Sequence, residues 1–349
     1  MRFSDFLFPA SMDPAQDEQV IHETLHEARL CDELGMDMLW LAEHHFDGIC
    51  AYVDPVTFAA ALAASTARIH IGFAVAQMSL HHPIRMAEQM ALIDNISRGR
   101  LVVGLGRGTA YNIYDYQGYG LDPAEAQERL IEAEAIMIKA WTTENFQHRG
   151  KFWNLRLPLL RPRPYTRPHP RIIRACSGEE ATLDMARAGR PFLMNVQSND
   201  VTRRRMDLYR ATMRAAGFDE AAIARNVAET WVWRNVFVAE SDGEAERLAR
   251  PAFETQAQFR QAMRRRVYEE EGVLLKPEVA PAARNDPRHA LLCGSPATVA
   301  EQIAEIDRIG VGGLILVFRL GPMPAEVAEQ SLRLFMQKVA PEFRDAGRS

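Results

Sequence analysis

The sequence predicts an α/β chain folded as an eight-stranded (β/α)8, or TIM, barrel, on three observations. Short β-rich runs alternate with longer amphipathic stretches. Eight such runs occur, each followed by a helix-like stretch, with no break in composition. The 349 residues exceed the ~250 typical of this barrel by enough to hold two irregular segments, which suits a barrel better than a doubly wound sheet.

The first run is Phe3–Phe8, followed by a helix over about Gln19–Leu34 that Gly35 ends. Met38–Leu41 is next, then an alanine-rich helix from about Pro55 leading to Ile69–Ala76. Pro83 opens a helix that stops at Ser97-Arg98-Gly99, before Leu101–Leu105. A tyrosine-rich loop follows, and Pro123 starts a long helix through Trp141, with Glu125, Glu128 and Glu132 suiting its early turns. Phe146–Trp153 reads as a small hairpin turning at Arg149-Gly150, and Pro158–Pro170, with five prolines, as an extended connection. Alternation resumes with Arg171–Ala175, a helix near Glu179–Ala188, Phe192–Val196, a helix near Arg203–Ala216 and Thr230–Val238. A helix after Ser295-Pro296, the strand Gly313–Phe318 and a helix over Pro324–Val339 complete the series. One domain spanning 1–349 is expected, with a mobile lid insertion at 251–292, where the pattern loosens.

With 47% apolar and 25% charged residues the chain reads as globular, not disordered. A net charge of −5 offers no basic footprint for nucleic acid or anionic membrane, so the ligand expected is a small molecule. Four scattered cysteines without a CxxC pair suggest neither a zinc cage nor a disulfide framework. The start turns polar too soon for a signal peptide and no apolar run of membrane-spanning length appears, so a cytoplasmic location is expected.

Four motifs compete for the chemistry. His22-Glu23-Thr24-Leu25-His26 matches HExxH, but on a helix its histidines fall on a solvated flank beside the stripe Ile21, Leu25, Ala28 and Cys31, and no third ligand follows, so no metal is expected. Gly104-Leu105-Gly106-Arg107-Gly108 follows a strand, yet its third glycine comes too early for GxGxxG and no helix opens after it. Those glycines mean either a tight turn or close backbone approach to a flat or phosphorylated ligand. Glu43-His44-His45-Phe46 ends the second strand, where a barrel places its active site; alternation turns only one of the histidines toward the barrel mouth. Ala175-Cys176-Ser177-Gly178-Glu179 joins strand to helix: Ser177 suits an N-cap and the free N–H groups suit a phosphate, although an unliganded capped helix reads equally well. Cys176 makes a poor nucleophile, having no histidine in its local motif. Phe8, Tyr111, Tyr116, Trp231 and Phe318 could line a pocket, although aromatic residues at such places usually belong to a core.

Taken in order, Leu41–Phe46, Ile71–Val75 continuing to His82–Glu88, Ile96–Arg100 leading into Gly104–Gly108, Ala175–Ser177 and Gly294–Pro296 through Ser331–Phe335 resemble the bacterial luciferase-like flavin monooxygenase family over nearly the whole chain. The resemblance implies a barrel that binds reduced FMN at the C-terminal ends of its strands and uses O2, through a flavin peroxide, to oxygenate a small apolar organic substrate. It implies a non-prolyl cis bond at Ala74–Val75 beneath the flavin ring, His44 as the catalytic proton-exchanging residue, and Arg107 and Arg129 near the phosphate. Ser177 and the N–H groups of Gly178 and Glu179 would cradle that phosphate, with Gly106 and Gly108 in the same cofactor-binding set. Gly106 stands where true luciferases carry a reactive cysteine, which argues against light emission and implies more room over the ring; Cys176 replaces an acid. With no Rossmann segment for NAD(P)H, a separate flavin reductase is the implied partner, and a homodimer the implied assembly. A deazaflavin-dependent oxidoreductase of the same fold is the alternative, against which the Glu43–Phe46 motif favours FMN; a flavin-binding protein without turnover is another.

Overall fold

Among the described residues there are twelve strands: β1 (Arg2–Leu7), β2 (Met38–Leu41), β3 (His70–Phe73), β4 (Ala76–Gln77), β5 (Leu101–Gly106), β6 (Phe146–Arg149), β7 (Asn154–Leu157), β8 (Arg171–Cys176), β9 (Phe192–Met194), β10 (Trp231–Val238), β11 (Leu291–Gly294) and β12 (Gly313–Val317). The computed structural model describes all residues except 9, 12, 47, 49, 109–111, 273–280 and 345–349. The hydrogen-bonded order is β10-β12-β1-β2-β3-β5-β8-β9, with β9 pairing back onto β10. That is an eight-membered ring, and each of its members contains or overlaps one of the eight runs expected from the sequence. The fold is a (β/α)8 barrel. β4 extends the third run, and β11 is a parallel addition beside the C-terminal half of β10, at Asn235↔Leu291 through Val238↔Gly294. Among the described residues no helix is long and apolar enough to cross a membrane.

The chain divides into two compact units, one of residues 11–32 and 39–173, the other of 1–10, 33–38 and 174–349. In the first, Leu39, Trp40 and Leu41 of β2 and every residue of β5 are buried, as parallel strands covered on both faces require. The helix Pro55–Ser65 is capped by Asp54, whose Oδ1 accepts from the Val56 and Thr57 N–H groups, with Pro55 at its first position. The helix Pro83–Ser97 ends as expected, with Arg98 and Gly99 at φ 55° and 86°. Its Asp94 accepts from Thr166 N at 2.7 Å and Thr166 Oγ1 at 3.1 Å, which pins the proline-rich connection. On the helix Asp17–Glu33 the buried stripe is Val20, Thr24, Ala28 and Cys31, while His22 and His26 are exposed and Ile21 and Leu25 half-exposed.

Three local expectations change in this unit. The hairpin's second strand starts at Asn154, because residues 150–153 wrap the Glu132 carboxylate, which accepts from the N–H groups of Lys151, Phe152 and Trp153 and from His148 Nε2 at 2.9 Å. The tyrosine-rich stretch is partly helical, over Ile113–Gly118. Pro123 opens a short 3-10 turn, and the α-helix proper runs over Ala126–Thr142.

The second unit is built on β12, which pairs with β1 at Arg2↔Gly313 and with β10 at Trp231↔Gly313. Phe3 packs edge-on against Phe335 at 5.2 Å, and Phe335 in turn meets Phe318 at 5.3 Å. Arg205 is buried and fully engaged: its guanidinium donates to Thr182 Oγ1, Gln197 Oε1 and the carbonyls of Cys176 and Gly178. The helix Asp242–Glu271 runs through Pro251 without ending and buries Phe253, Ala257 and Val267. The stretch expected to loosen at 251 therefore begins inside a regular helix, and residues 273–280 of the expected lid lie outside the described residues.

Candidate active site

At the end of β2 the chain leaves the sheet through Glu43-His44-His45, and alternation separates the two histidines. His45 is buried and His44 half-buried. Glu43 is buried too, and a carboxylate in such a place survives only if its oxygens are answered. Its Oε1 lies 2.8 Å from His45 Nε2 and 2.6 Å from His81 Nε2, and Oε2 accepts from Gln77 N at 2.5 Å. Burial by itself would raise the Glu43 pKa, but the charge of His81 and the hydrogen bonds from His45, His81 and Gln77 N bring it down to about 2. For His81, burial works toward a lower pKa, and Glu43, with a smaller contribution from Asp54, outweighs it and holds the imidazole above its ordinary value.

A second layer of the same unit links His44 to this pair. Asn112 Nδ2 lies 3.3 Å from His44 Nδ1 and 3.0 Å from Asp115 Oδ2. Asp115 also accepts from His45 N at 3.1 Å and Gln77 Nε2 at 2.5 Å, while Gln77 Nε2 donates to the Glu43 carbonyl at 3.0 Å. Burial holds the Asp115 carboxyl above its usual range, against the opposing effects of Gln77, His44 and His45. Tyr119 Oη faces His45 Nδ1 at 3.3 Å. Sequence reasoning missed His81, Asn112, Asp115 and Gln77; the only local signal was the doublet His81-His82 before Pro83, of which His82 is the exposed helix N-cap.

The glycines after β5 have a local explanation. A Cβ at Gly104 would lie 1.6 Å from the Phe73 carbonyl oxygen, one at Gly106 2.4 Å from Val75 Cγ2, and one at Gly108, with φ +77°, 2.0 Å from Gln77 Oε1. Positions 104, 106 and 108 thus abut 73, 75 and 77 in step, in line with the parallel register Gln77↔Gly106. At Gly106 it is Val75 that occupies the space a side chain would take. The Ala74–Val75 bond is cis, and Ala74 N donates to the Leu41 carbonyl at 2.7 Å.

The arginines differ. Arg107 is exposed, and its carbonyl accepts from Tyr116 Oη. Arg129 pairs with Glu125 at 3.0 Å and lies over the Phe152 ring at 4.5 Å, so an anion approaching it competes with a carboxylate. In the other unit, Gly178 and not Ser177 is the N-cap of the helix Glu179–Arg187, and no side chain caps it. Ser177 is exposed, because the strand runs one residue further than expected, to Cys176. Burial pushes the Cys176 thiol up to about 11, well away from thiolate reactivity. Of the aromatic pocket candidates, Tyr116, Trp231 and Phe318 are core residues, Phe8 is half-buried beside Phe6, and Tyr111 lies outside the described residues. Among the described residues no group of three or more His, Cys, Asp or Glu is arranged to hold a metal ion.

Residues 1–312 match the family model of luciferase-like monooxygenases. The chain is 30% identical over 164 residues to limonene 1,2-monooxygenase of Rhodococcus erythropolis, covering 47% of this chain and 42% of that protein. It is 30% identical over 173 residues to the oxygenase component of the flavin-dependent trigonelline monooxygenase of Acinetobacter baylyi, covering 49% and 48%. The chain spans less than two thirds of the length of these curated relatives. Among solved structures, the monooxygenase RslO1 from Streptomyces bottropensis superposes with a TM-score of 0.79 at 28% identity, covering 98% of this chain and all of that one.

Proposed function

Because the chain belongs to the family of luciferase-like monooxygenases, we propose that it is the oxygenase component of a two-component enzyme that uses reduced FMN and O2 to insert one oxygen atom into a small apolar organic substrate, the reduced flavin coming from a separate NAD(P)H:flavin reductase. The observation that carries this reading is His44, a half-buried imidazole tied through Asn112 to a buried carboxylate network, three residues beyond the Leu41 carbonyl that anchors the cis Ala74–Val75 segment. When bound, reduced FMN supplies the electrons that activate O2.

The residues present fit such a group. Gln77 Oε1 is buried beside Gly108 with no hydrogen-bond partner among the described residues, an acceptor suited to an N–H of a bound ring. Ala74, Val75 and Gly106 offer backbone and an aliphatic surface for a flat ring, and Arg107 an exposed positive charge for a phosphate. Arg129 serves as a weaker second charge because of Glu125. Ser177 and the N–H groups of Gly178 and Glu179 keep their assignment to a phosphate on the strength of their own uncapped helix end. His44 exchanges a proton with the bound reactants, while Glu43 holds His45 and His81 in place. A homodimer and a cytoplasmic location complete the proposal.

The test adds FMN or the deazaflavin F420 to the protein and follows fluorescence quenching. It then supplies reductase, NADH and 18O2 across a substrate panel and measures labelled product against released peroxide. Labelled product with FMN, lost in His44→Ala, supports the reading. F420 binding with hydride transfer and no label supports the deazaflavin alternative, and FMN binding without any coupled substrate supports a flavin-binding protein.

A further inference from the structure

We infer that Asn112, oriented by Asp115, is a positioning residue that holds neutral His44 with its ring proton on Nε2. A carboxamide NH2 has two hydrogens and only donates, whereas its oxygen only accepts. The atom of Asn112 that faces His44 Nδ1 at 3.3 Å also lies 3.0 Å from Asp115 Oδ2. A carboxylate accepts, so the group turned toward Asp115 is the NH2 and not the oxygen. One hydrogen then points at Asp115 and the other at His44 Nδ1, which has to present a lone pair. In a neutral imidazole the proton is consequently on Nε2.

The orientation of Asp115 is independently fixed. Its Oδ1 receives His45 N at 3.1 Å, and its Oδ2 receives Gln77 Nε2 at 2.5 Å. The Gln77 amide cannot be reversed without loss, because the same Nε2 donates to the Glu43 carbonyl, which can only accept. Asn112 and Asp115 are 6% and 1% exposed, so water does not compete freely for these bonds. His45 differs from His44 in using its Nε2 toward the Glu43 carboxylate, with Nδ1 turned to Tyr119. The two neighbouring histidines therefore share a tautomer for opposite reasons: His45 spends its proton inward on Glu43, and His44 keeps Nε2–H on the side of the ring away from Asn112. The tautomer itself does not depend on the proposed reaction. Its use does, since on that reading His44 exchanges its proton through Nε2 alone.

The experiment uses the full chain, flavin-free, labelled with 15N-histidine, and reads long-range 1H–15N couplings above the imidazole titration, with His44→Gln identifying the signal. Once the His44 signal is identified, the wild-type pattern is decisive: the Nε2–H pattern is expected, and an Nδ1–H pattern overturns the proposal. In Asn112→Asp the new carboxylate accepts from the ring, so the proton should move to Nδ1. An unchanged tautomer there also overturns it, whereas a merely structural role for Asn112 would leave the pattern as it was. Asp115→Asn should give a mixture of both tautomers. If the wild-type pattern is as expected and no flavin-dependent oxygenation is found, the proposed function fails and this inference stands.

Discussion

Nε2 of His81 lies 2.6 Å from Oε1 of Glu43, and the side chain of Glu43 has no exposure to solvent. The relationship joins positions 38 residues apart and adds an imidazole to the partners that His45 and Gln77 N already give this buried carboxylate. Removing one member of a buried pair leaves the other uncompensated, at a cost of about 3–5 kcal/mol. Glu43→Ala should lose stability in that range in urea denaturation. A loss below about 1 kcal/mol would mean that His45 and His81 find other partners and that the carboxylate is not the centre of the network.

The same pair sets a pH window. Glu43 titrates lower in the folded chain, about 2 against an ordinary 4.5, so its contribution is present above 4.5 and lost as pH falls toward 2. His81 titrates higher when folded, so its contribution is full below its ordinary 6.5 and lost as pH rises through the raised value. Urea midpoints measured across pH should form a plateau from about 4.5 to 6.5 and decline on both sides. In His81→Leu the alkaline decline should shrink; if it persists unchanged, another group causes it.

Much of the barrel was legible because its strands are buried on both faces and read as apolar runs between helices. Leu291–Gly294 escaped because four residues next to a short helix carry no period, and Ile113–Gly118 because aromatic and aspartate residues before a glycine look like loop. Glu43 and His44 stood out at a strand end. His81, Asn112 and Asp115 could not, since folding alone brings together groups that lie 38 to 70 residues from Glu43 or His45. The N-cap at Gly178 was missed by one residue because Ser177, the better capping type, stands beside it and is left in the extended segment.

Gly106→Ala places a methyl group 2.4 Å from Val75 Cγ2, and overpacking of this kind costs about 1–3 kcal/mol. The thermal midpoint should drop accordingly and recover substantially in Gly106→Ala/Val75→Ala. Strict additivity of the two single changes in this cycle would contradict the contact.

Arg205→Met keeps much of the side-chain length but leaves Thr182 Oγ1, Gln197 Oε1 and two carbonyls without their donor. Each buried group left unsatisfied costs about 1–3 kcal/mol, so a destabilisation of at least that size is expected in chemical denaturation. Arg205→Lys should restore only part of it, because one ammonium cannot reach what a planar fork reaches. Full recovery in the lysine variant would show that charge and not geometry is what Arg205 provides.

The stepwise pairing of Gly104, Gly106 and Gly108 with Phe73, Val75 and Gln77 bears on how this protein could be altered in the laboratory. A Cβ at Gly104 meets the Phe73 carbonyl, and at Gly106 and Gly108 the side chains of Val75 and Gln77, so a randomised library at those three positions would sort clones first by whether these neighbours can give way. The glycine-rich stretch is better treated as fixed scaffold than as an adjustable wall.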